Sequence, residues 1–265
     1  MNEIRVLVSG SGRMGTEVLA GVAHAPGLVP VGVLEKFPRG TEADLPDGST
    51  VPIGDDPEAM LASTRPDVLV DFTFHEWTAR VAPAAVAAGV RPVIGTTGLP
   101  DAFVDTLDRQ CRERGVGAVI APNFAIGAVL MMHFARLAAP YFDVAEIIEL
   151  HHAAKVDAPS GTALATAREM AAARGRPFEH PETEKQTIPG TRGGVEGGIT
   201  IHSVRLPGLV AHQEVLLGGL GQTLTIRHDS TSRESFIPGV ILAVREVMRR
   251  HDLVVGLDRV LGLVE

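Results

Sequence analysis

Short apolar runs alternate with amphipathic stretches through the first half of the chain. "IRVLVSG" reads as a buried strand and "RMGTEVLAGVAHA" as a helix. "VPVGVLE" is a second strand, and the polar, Pro/Gly-rich stretch from Phe37 to Pro57 reads as loop. "DVLVDF", "RPVIG" and "GAVIAP" are further strands, separated by the helical patterns "EWTARVAPAAVAAG" and "DAFVDTLDRQCRERG". Strands that are apolar throughout and alternate with helices predict a parallel sheet covered on both faces.

The pattern changes after Asn123. "AIGAVLMMHFARLAAPYF" reads as a long, mostly buried helix, "VAEIIEL" as a strand and "SGTALATAREMAAARG" as a helix. A long polar loop follows from Arg176 to Gly198. Three strand-like runs, "ITIHSVRL", "LVAHQEVLL" and "QTLTIRH", are separated only by short connections, which suits a mixed or antiparallel sheet. "ESFIPGVILAVREVMRR" closes the chain as a helix. The expectation is an α/β protein: a Rossmann-type doubly wound domain over residues 1–124, a second α+β domain over 125–232, and a C-terminal helix region, 233–265, returning to the first.

The chain has 265 residues and a formal net charge of −8, so it lacks the overall basic balance of a nucleic-acid binder. Neither a signal peptide nor an apolar run of membrane-spanning length is visible, and the expectation is a cytoplasmic protein. The single cysteine, Cys111, shares one side of a helix with Val104 and Leu107 and reads as a buried thiol.

"GSGRMG", Gly10, Ser11, Gly12, Arg13, Met14 and Gly15, lies between the first strand and the first helix. In a G-x-G-x-x-G of this context the glycines permit a tight turn, close approach of a pyrophosphate and close helix–strand packing. The helix N-terminus supplies amide donors for phosphates. Glu35, at the end of the second strand, is placed to accept from ribose hydroxyls, and Lys36 beside it is placed either to meet a 2′-phosphate or to sit in water. NADH and NADPH are therefore both admitted. Two more loops fall at strand carboxyl ends: Gly95, Thr96 and Thr97 in "GTTG", and Ala121, Pro122, Asn123 and Phe124 in "APNF". They suit a ribose or nicotinamide wall, or simply strand-to-helix turns.

"ELHHAAKVDAPSGTA", Glu149 to Ala163, gathers two histidines, a lysine and an aspartate between a strand and a helix. Adjacent histidines on an extended segment point apart and suit a shared metal poorly. They could also simply face water. A third possibility is an anion site that must also deliver a proton. Ser160 would cap the helix, with Gly161 and Thr162 presenting free amides. Lys155, His151 and His152 would bring charge and exchangeable protons, while Asp157 would fix the loop by bonds to backbone.

That segment resembles the signature of the 4-hydroxy-tetrahydrodipicolinate (dihydrodipicolinate) reductase family, E-x-H-H-x-x-K-x-D-x-P-S-G-T-A, at every fixed position. "GRMG", "DFT" at Asp71–Thr73, "GTTG", "NF" at Asn123 and "HDSTSRESFIPG" match the family in order. The resemblance implies NADH- or NADPH-dependent reduction of a small dicarboxylate ring in diaminopimelate and lysine synthesis. It implies His151 as proton donor, Lys155 as the second catalytic group, His152 in contact with substrate, and Gly161 and Thr162 on a substrate carboxylate. Cofactor contacts fall on the glycine loop, on Glu35 and Lys36, on Gly95–Thr97 and on Ala121–Phe124. It implies a homotetramer built through the second domain. Because the two domains would carry cofactor and substrate separately, a hinge near Asn123 and Arg233 that closes on binding is expected. One departure is the glycine loop, a residue shorter than the family's common G-x-x-G-[RK]-x-G, which leaves cofactor preference open. Two other readings share parts of this pattern: a sugar or amino-acid nicotinamide oxidoreductase, and a dinucleotide-sensing protein without turnover.

Overall fold

Parallel strands buried on both faces need a cover on each side, and the amphipathic helices between them supply it. The structure, a computed structural model, describes residues 3–264. It forms two units: one runs to Ile126 and resumes at Arg233, and the other is Gly127–Ser232.

In the first unit, β1 (Ile4–Ser9), β2 (Leu28–Leu34), β5 (Val68–Asp71), β6 (Arg91–Ile94) and β7 (Ala118–Ile120) pair in parallel. β1 lies between β2 and β5, so the chain leaves β1 in one direction and later returns on its other side. The carboxyl end of β1 is therefore a topological switch point, where open α/β sheets bind ligands. Helices α1 (Arg13–His24), α2 (Pro57–Thr64), α3 (His75–Ala87) and α4 (Asp101–Arg114) connect the strands. Leu7, Leu34, Leu69, Trp77 and Val81 pack in one core cluster, and Val86, Ile94, Leu107 and Cys111 in another. Cys111 is fully buried, and burial pushes its thiol up to about 12, which removes it as a nucleophile.

Three stretches differ from the sequence expectation. The Phe37–Pro57 segment is not only loop: β3 (Glu42–Asp44) and β4 (Thr50–Gly54) form a hairpin whose β4 pairs with β2, and α2 begins at Pro57. These edge strands are short, largely exposed and carry Pro52, so they lack the apolar run that marks the inner strands. The long polar loop of 176–198 includes the edge strand β9 (Gly194–Glu196). The C-terminal helix, α7 (Ile237–Val247), does not end the chain: β13 (Leu253–Val255) follows, pairs with β7, and leads to α8 (Leu257–Val260).

In the second unit β8 (Val144–His151) is central, parallel to β10 (Ile199–Arg205) and antiparallel to β11 (Ala211–Gly219). β9 and β12 (Gln222–Ser230) complete a mixed five-stranded sheet. Alternation along β8 turns Ala145, Ile147 and Glu149 inward, against α5 (Ile126–Ala138) and α6 (Gly161–Arg174). Met131, Ala135, Ala163, Ala167, Met170, Val215 and Leu217 fill that core.

Candidate active site

The glycine loop opens α1, whose cap residue is Gly12 with no side-chain cap bond. The first amides of the helix therefore face outward without intrahelical acceptors. Gly10 has φ +99°, a conformation that favours glycine. A Cβ on Gly15 would lie 1.9 Å from the Gly10 carbonyl oxygen, whereas one on Gly12 would meet nothing within 4 Å. The loop is thus shut tight against the helix on one side and clear on the other. That one-sided clearance fits a pyrophosphate laid against bare backbone. Glu35 sits at the end of β2 and accepts from the Ser11 amide and hydroxyl, both at 2.7 Å. Burial raises its carboxyl, but the Ser11 and neighbouring backbone bonds outweigh burial and hold it below the usual range. The Lys36 ammonium lies 4.9 Å from the Phe74 ring centre and 5.3 Å from that of Phe37.

Arg13 and Thr97 are exposed and Met14 is half-buried. Thr96 is buried: its hydroxyl donates to Asp71 at 2.9 Å and accepts from the Thr73 amide at 3.0 Å. Its side chain therefore ties β5 to β6 and leaves only its backbone for a ligand. Gly95 has no room for a side chain, because a Cβ would lie 2.2 Å from the Phe72 ring. Ala121 and Phe124 are buried, and the Phe124 ring packs on Phe72 at 5.4 Å. Pro122 is exposed, and the Asn123 side chain accepts from the Ala125 amide at 2.9 Å, fixing the turn.

In the second unit the signature runs from the end of β8 to the start of α6. His151 is the last residue of β8, with its side chain 14% exposed, and its Nδ1 lies 2.5 Å from Glu149 Oε2. Its Nε2 has no protein partner among the described residues. His152 points the other way and is exposed. A turn closed by the Lys155 amide on the His152 carbonyl, 3.1 Å, brings Lys155 back toward the strand end. Lys155 Nζ pairs with Asp157 Oδ1 at 2.7 Å. The Asp157 side chain thus holds the lysine, which differs from the expected side-chain-to-backbone role. Ser160 caps α6, accepting from the Ala163 amide at 3.2 Å. The Gly161 and Thr162 amides are the first two of the helix and lack intrahelical acceptors. A Cβ at Gly161 would meet nothing within 4 Å, so that end of the helix is open. Burial lowers the His151 pKa below its ordinary value, with Glu149 working against that shift and Lys155 and Arg205 with it.

Three further residues were given no role from the sequence, although Glu149 opens the family signature and Asp71 opens the DFT triplet. Glu149 is fully buried and accepts from His151, Arg205 and the Ser160 amide. A readable signal existed: it is the one charged residue on the inward face of β8, where Ala145 and Ile147 precede it. Arg205 carries no such mark, since it meets Glu149 from 56 positions away. Asp71 is fully buried and accepts from the hydroxyls of Thr73, Thr78 and Thr96. Among the described residues no group of histidines, cysteines and carboxylates could hold a metal ion, and no helix is long and apolar enough to cross a membrane.

Residues 4–124 match the family model described as dihydrodipicolinate reductase, N-terminus, and residues 127–261 match that for its C-terminus. The chain is 49% identical to 4-hydroxy-tetrahydrodipicolinate reductase of Moorella thermoacetica, over 97% of this chain and 98% of that protein. It is 50% identical to the protein of the same name from Geobacillus kaustophilus, over 97% and 99%. The dipicolinate-bound dihydrodipicolinate reductase of Paenisporosarcina sp. TG-14 superposes with a TM-score of 0.88 at 42% identity, over 97% of this chain and 99% of that one. The amine dehydrogenase of Mycobacterium smegmatis, at 18% identity and TM-score 0.69, shares the fold alone. With a switch-point glycine loop in one unit and a His–Glu pair beside an open helix N-terminus in the other, this chain belongs to the dihydrodipicolinate reductase family.

Proposed function

We propose that this protein reduces 4-hydroxy-tetrahydrodipicolinate, by way of dihydrodipicolinate, to tetrahydrodipicolinate in diaminopimelate and lysine synthesis. The observation that carries the reading is His151: a half-buried imidazole with one nitrogen on a carboxylate and the other free, beside the open N-terminus of α6. Names of relatives that align with nearly the whole chain supply the reaction, and the dipicolinate bound by one of them is a flat ring with two carboxylates.

The ring's carboxylates suit what this unit offers. One accepts from the Gly161 and Thr162 amides at the positive end of α6. His152 and Lys155 bring further donors to the same loop. Once water has left the 4-hydroxy ring to give dihydrodipicolinate, a bound reduced nicotinamide dinucleotide would supply hydride to the ring carbon conjugated with C=N, leaving a ring enamine. The His151 imidazolium then gives its Nε2 proton to that enamine carbon, assisted by Lys155, so one hydride and one proton are consumed per turnover. Burial makes His151 a readier donor, and the arriving dicarboxylate raises its proton affinity again, so substrate charges its own acid. The fixed donors of this unit would hold the ring in one orientation, which lowers the ordering cost of the reaction.

Glu35 suits the ribose hydroxyls of NADH, while Lys36 beside it suits the 2′-phosphate of NADPH, and the protein accepts both. The glycine loop (Gly10–Gly15) takes the pyrophosphate, and the backbone of Gly95–Thr97 and Ala121–Phe124 takes the nicotinamide end. The working form is a cytoplasmic homotetramer. The five-stranded sheet supports this: among the described residues α5 and α6 pack on one of its faces, and the other carries half-buried Ile148, Leu150 and Leu216.

The test is a coupled assay in which a synthase generates substrate from pyruvate and aspartate semialdehyde, followed at the reduced nicotinamide band with NADH and with NADPH. Turnover by the wild type, with losses of at least about a hundredfold in kcat for His151→Ala and Lys155→Ala, is the expected result. Tight dinucleotide binding without turnover would replace this reading with a sensing role.

A further inference from the structure

Glu149 is a fully buried carboxylate whose four acceptor sites are all used. Oε2 accepts from His151 Nδ1 at 2.5 Å and Arg205 Nη1 at 2.9 Å. Oε1 accepts from Arg205 Nη2 at 2.7 Å and the Ser160 amide at 3.2 Å. Arg205 is committed as well: Nη2 also donates to the Asp157 carbonyl at 2.7 Å, and Nη1 to the Val204 carbonyl at 2.7 Å. The pair therefore grips the 151–160 loop at its start, its middle and its end. An ion pair with one partner fully buried seldom stabilises a fold better than apolar side chains would, which points to a purpose besides stability.

We infer that Glu149, braced by Arg205, is the positioning residue that holds His151 in its Nδ1–H form with Nε2 directed outward, and ties that nitrogen in place beside the anion-binding start of α6. The inference rests on the reading of His151 as proton donor. The physical logic is the one by which a carboxylate fixes a catalytic imidazole: it selects the tautomer, sets the ring plane and stabilises the cationic form. Glu149 touches no substrate. Its second task is spatial, because the same carboxylate that orients the acid also holds the amide of the helix cap. A shift of one would move the other.

The charged groups facing His151 are Glu149 on its own strand, Arg205 on β10, and Lys155 with its partner Asp157 on the loop. Glu149 favours the cation, and Arg205 and Lys155 oppose it. Replacing each member of the buried pair therefore has opposite consequences for the imidazole. A role confined to packing would move both variants the same way.

The experiment uses the full-length protein with ¹⁵N-labelled histidine, His151 being assigned by its absence from a His151→Asn sample. Nitrogen shifts are followed through a pH titration for wild type, Glu149→Gln, Glu149→Asp and Arg205→Gln, alongside pH profiles of kcat and KM. The neutral wild-type ring should be the Nδ1–H tautomer. Glu149→Gln should mix the tautomers, lower the His151 titration, shift the pH limb of kcat the same way and cut kcat at least tenfold with little change in KM. Arg205→Gln should raise the titration, and Glu149→Asp should restore the tautomer and most of kcat. An unchanged tautomer and titration in folded Glu149→Gln, or shifts of one sign in Glu149→Gln and Arg205→Gln, would overturn the inference. Should Glu149→Gln not fold, a lowered or unmoved His151 titration in Arg205→Gln overturns it just as well. Full kcat in a His151→Gln enzyme would instead defeat the proton-donor reading, and the nitrogen shifts would still decide the positioning.

Discussion

Ser11 and Glu35 are joined twice: the Ser11 amide and hydroxyl both reach the same oxygen of Glu35, each at 2.7 Å. The carboxylate that would meet a ribose thereby also holds the glycine loop against the end of β2. Its other oxygen accepts from the Phe37 amide at the long distance of 3.3 Å, which leaves room for a hydroxyl pair. Lys36, next along, is held over two aromatic faces. Glu35→Ala should weaken NADH binding by about tenfold or more, since hydrogen bonds to a charged group contribute about 1.5–3 kcal/mol. NADPH should lose less, because a carboxylate repels its 2′-phosphate. Lys36→Ala should do the reverse. Fluorescence titration of the two reduced dinucleotides measures both, and equal losses for NADH and NADPH in either variant would refute this division of labour.

Gly12 and Gly15 should separate binding from folding. A Cβ on Gly12 enters open space and its φ of −73° is ordinary for any residue. Gly12→Ala should therefore leave Tm within a degree or two while dinucleotide affinity falls at least tenfold, as the methyl occupies the approach to the helix start. Gly15→Ala places a methyl 1.9 Å from a backbone oxygen and should lower Tm by several degrees even without cofactor. Calorimetry beside a binding titration tests the contrast. A Gly12→Ala protein that binds dinucleotide normally would show that the phosphates lie elsewhere.

The limb of the pH profile that falls with rising pH follows from His151. Burial lowers its pKa, and Glu149 only partly offsets that. A donor must be protonated, so kcat/KM, which reports the free enzyme, should be full at low pH and fall with rising pH, through an inflection below the ordinary value of about 6.5. A bound dicarboxylate raises the same group, so the inflection in kcat should lie at higher pH than that in kcat/KM. Profiles from about pH 5 to 9 check the order of the two. Coincident inflections, or a limb that rises with pH, would remove His151 from the role.

Much of this site was readable because its parts lie close together in sequence. Gly10–Gly15 and His151–Thr162 are each one continuous stretch running from a strand end into a helix start, and local spacing carries local geometry. Cys111 was legible for the same reason, through Val104 and Leu107 on its helix face. Arg205 was not, because its importance exists only once β10 lies parallel to β8, with Arg205 opposite His151. Asp71 shows the same limit: the DFT triplet was noticed, but not the carboxylate's three threonine partners. The hairpin of β3 and β4 escaped because exposed edge strands carry no apolar period. β13 was hidden by its length, since three residues after a helix are too few to declare a strand.

Asp71 yields the last prediction. Its two oxygens take Thr73 at 2.7 Å, Thr78 at 2.5 Å and Thr96 at 2.9 Å, and the carboxylate is wholly buried. No cation neutralises it among the described hydrogen bonds and ion pairs, so hydroxyl donors alone satisfy it. Those three threonines come from the loop after β5, from α3 and from the loop after β6. The cluster therefore sets the relative height of two loops at the carboxyl edge of the sheet. Asp71→Asn converts one acceptor oxygen into an amide NH2 donor that now faces hydroxyl protons. Removing an acceptor from a buried group leaves donors unsatisfied at about 1–3 kcal/mol each. Chemical denaturation should show a loss of roughly 2–4 kcal/mol. Thr96→Val, which keeps the shape and removes one donor, should cost less and should also loosen the Thr73 amide. Because the Gly95–Thr97 backbone hangs on that bond, dinucleotide affinity should fall in both variants, more in Asp71→Asn. Unchanged affinity with lowered stability would confine the cluster to folding and detach it from the cofactor wall.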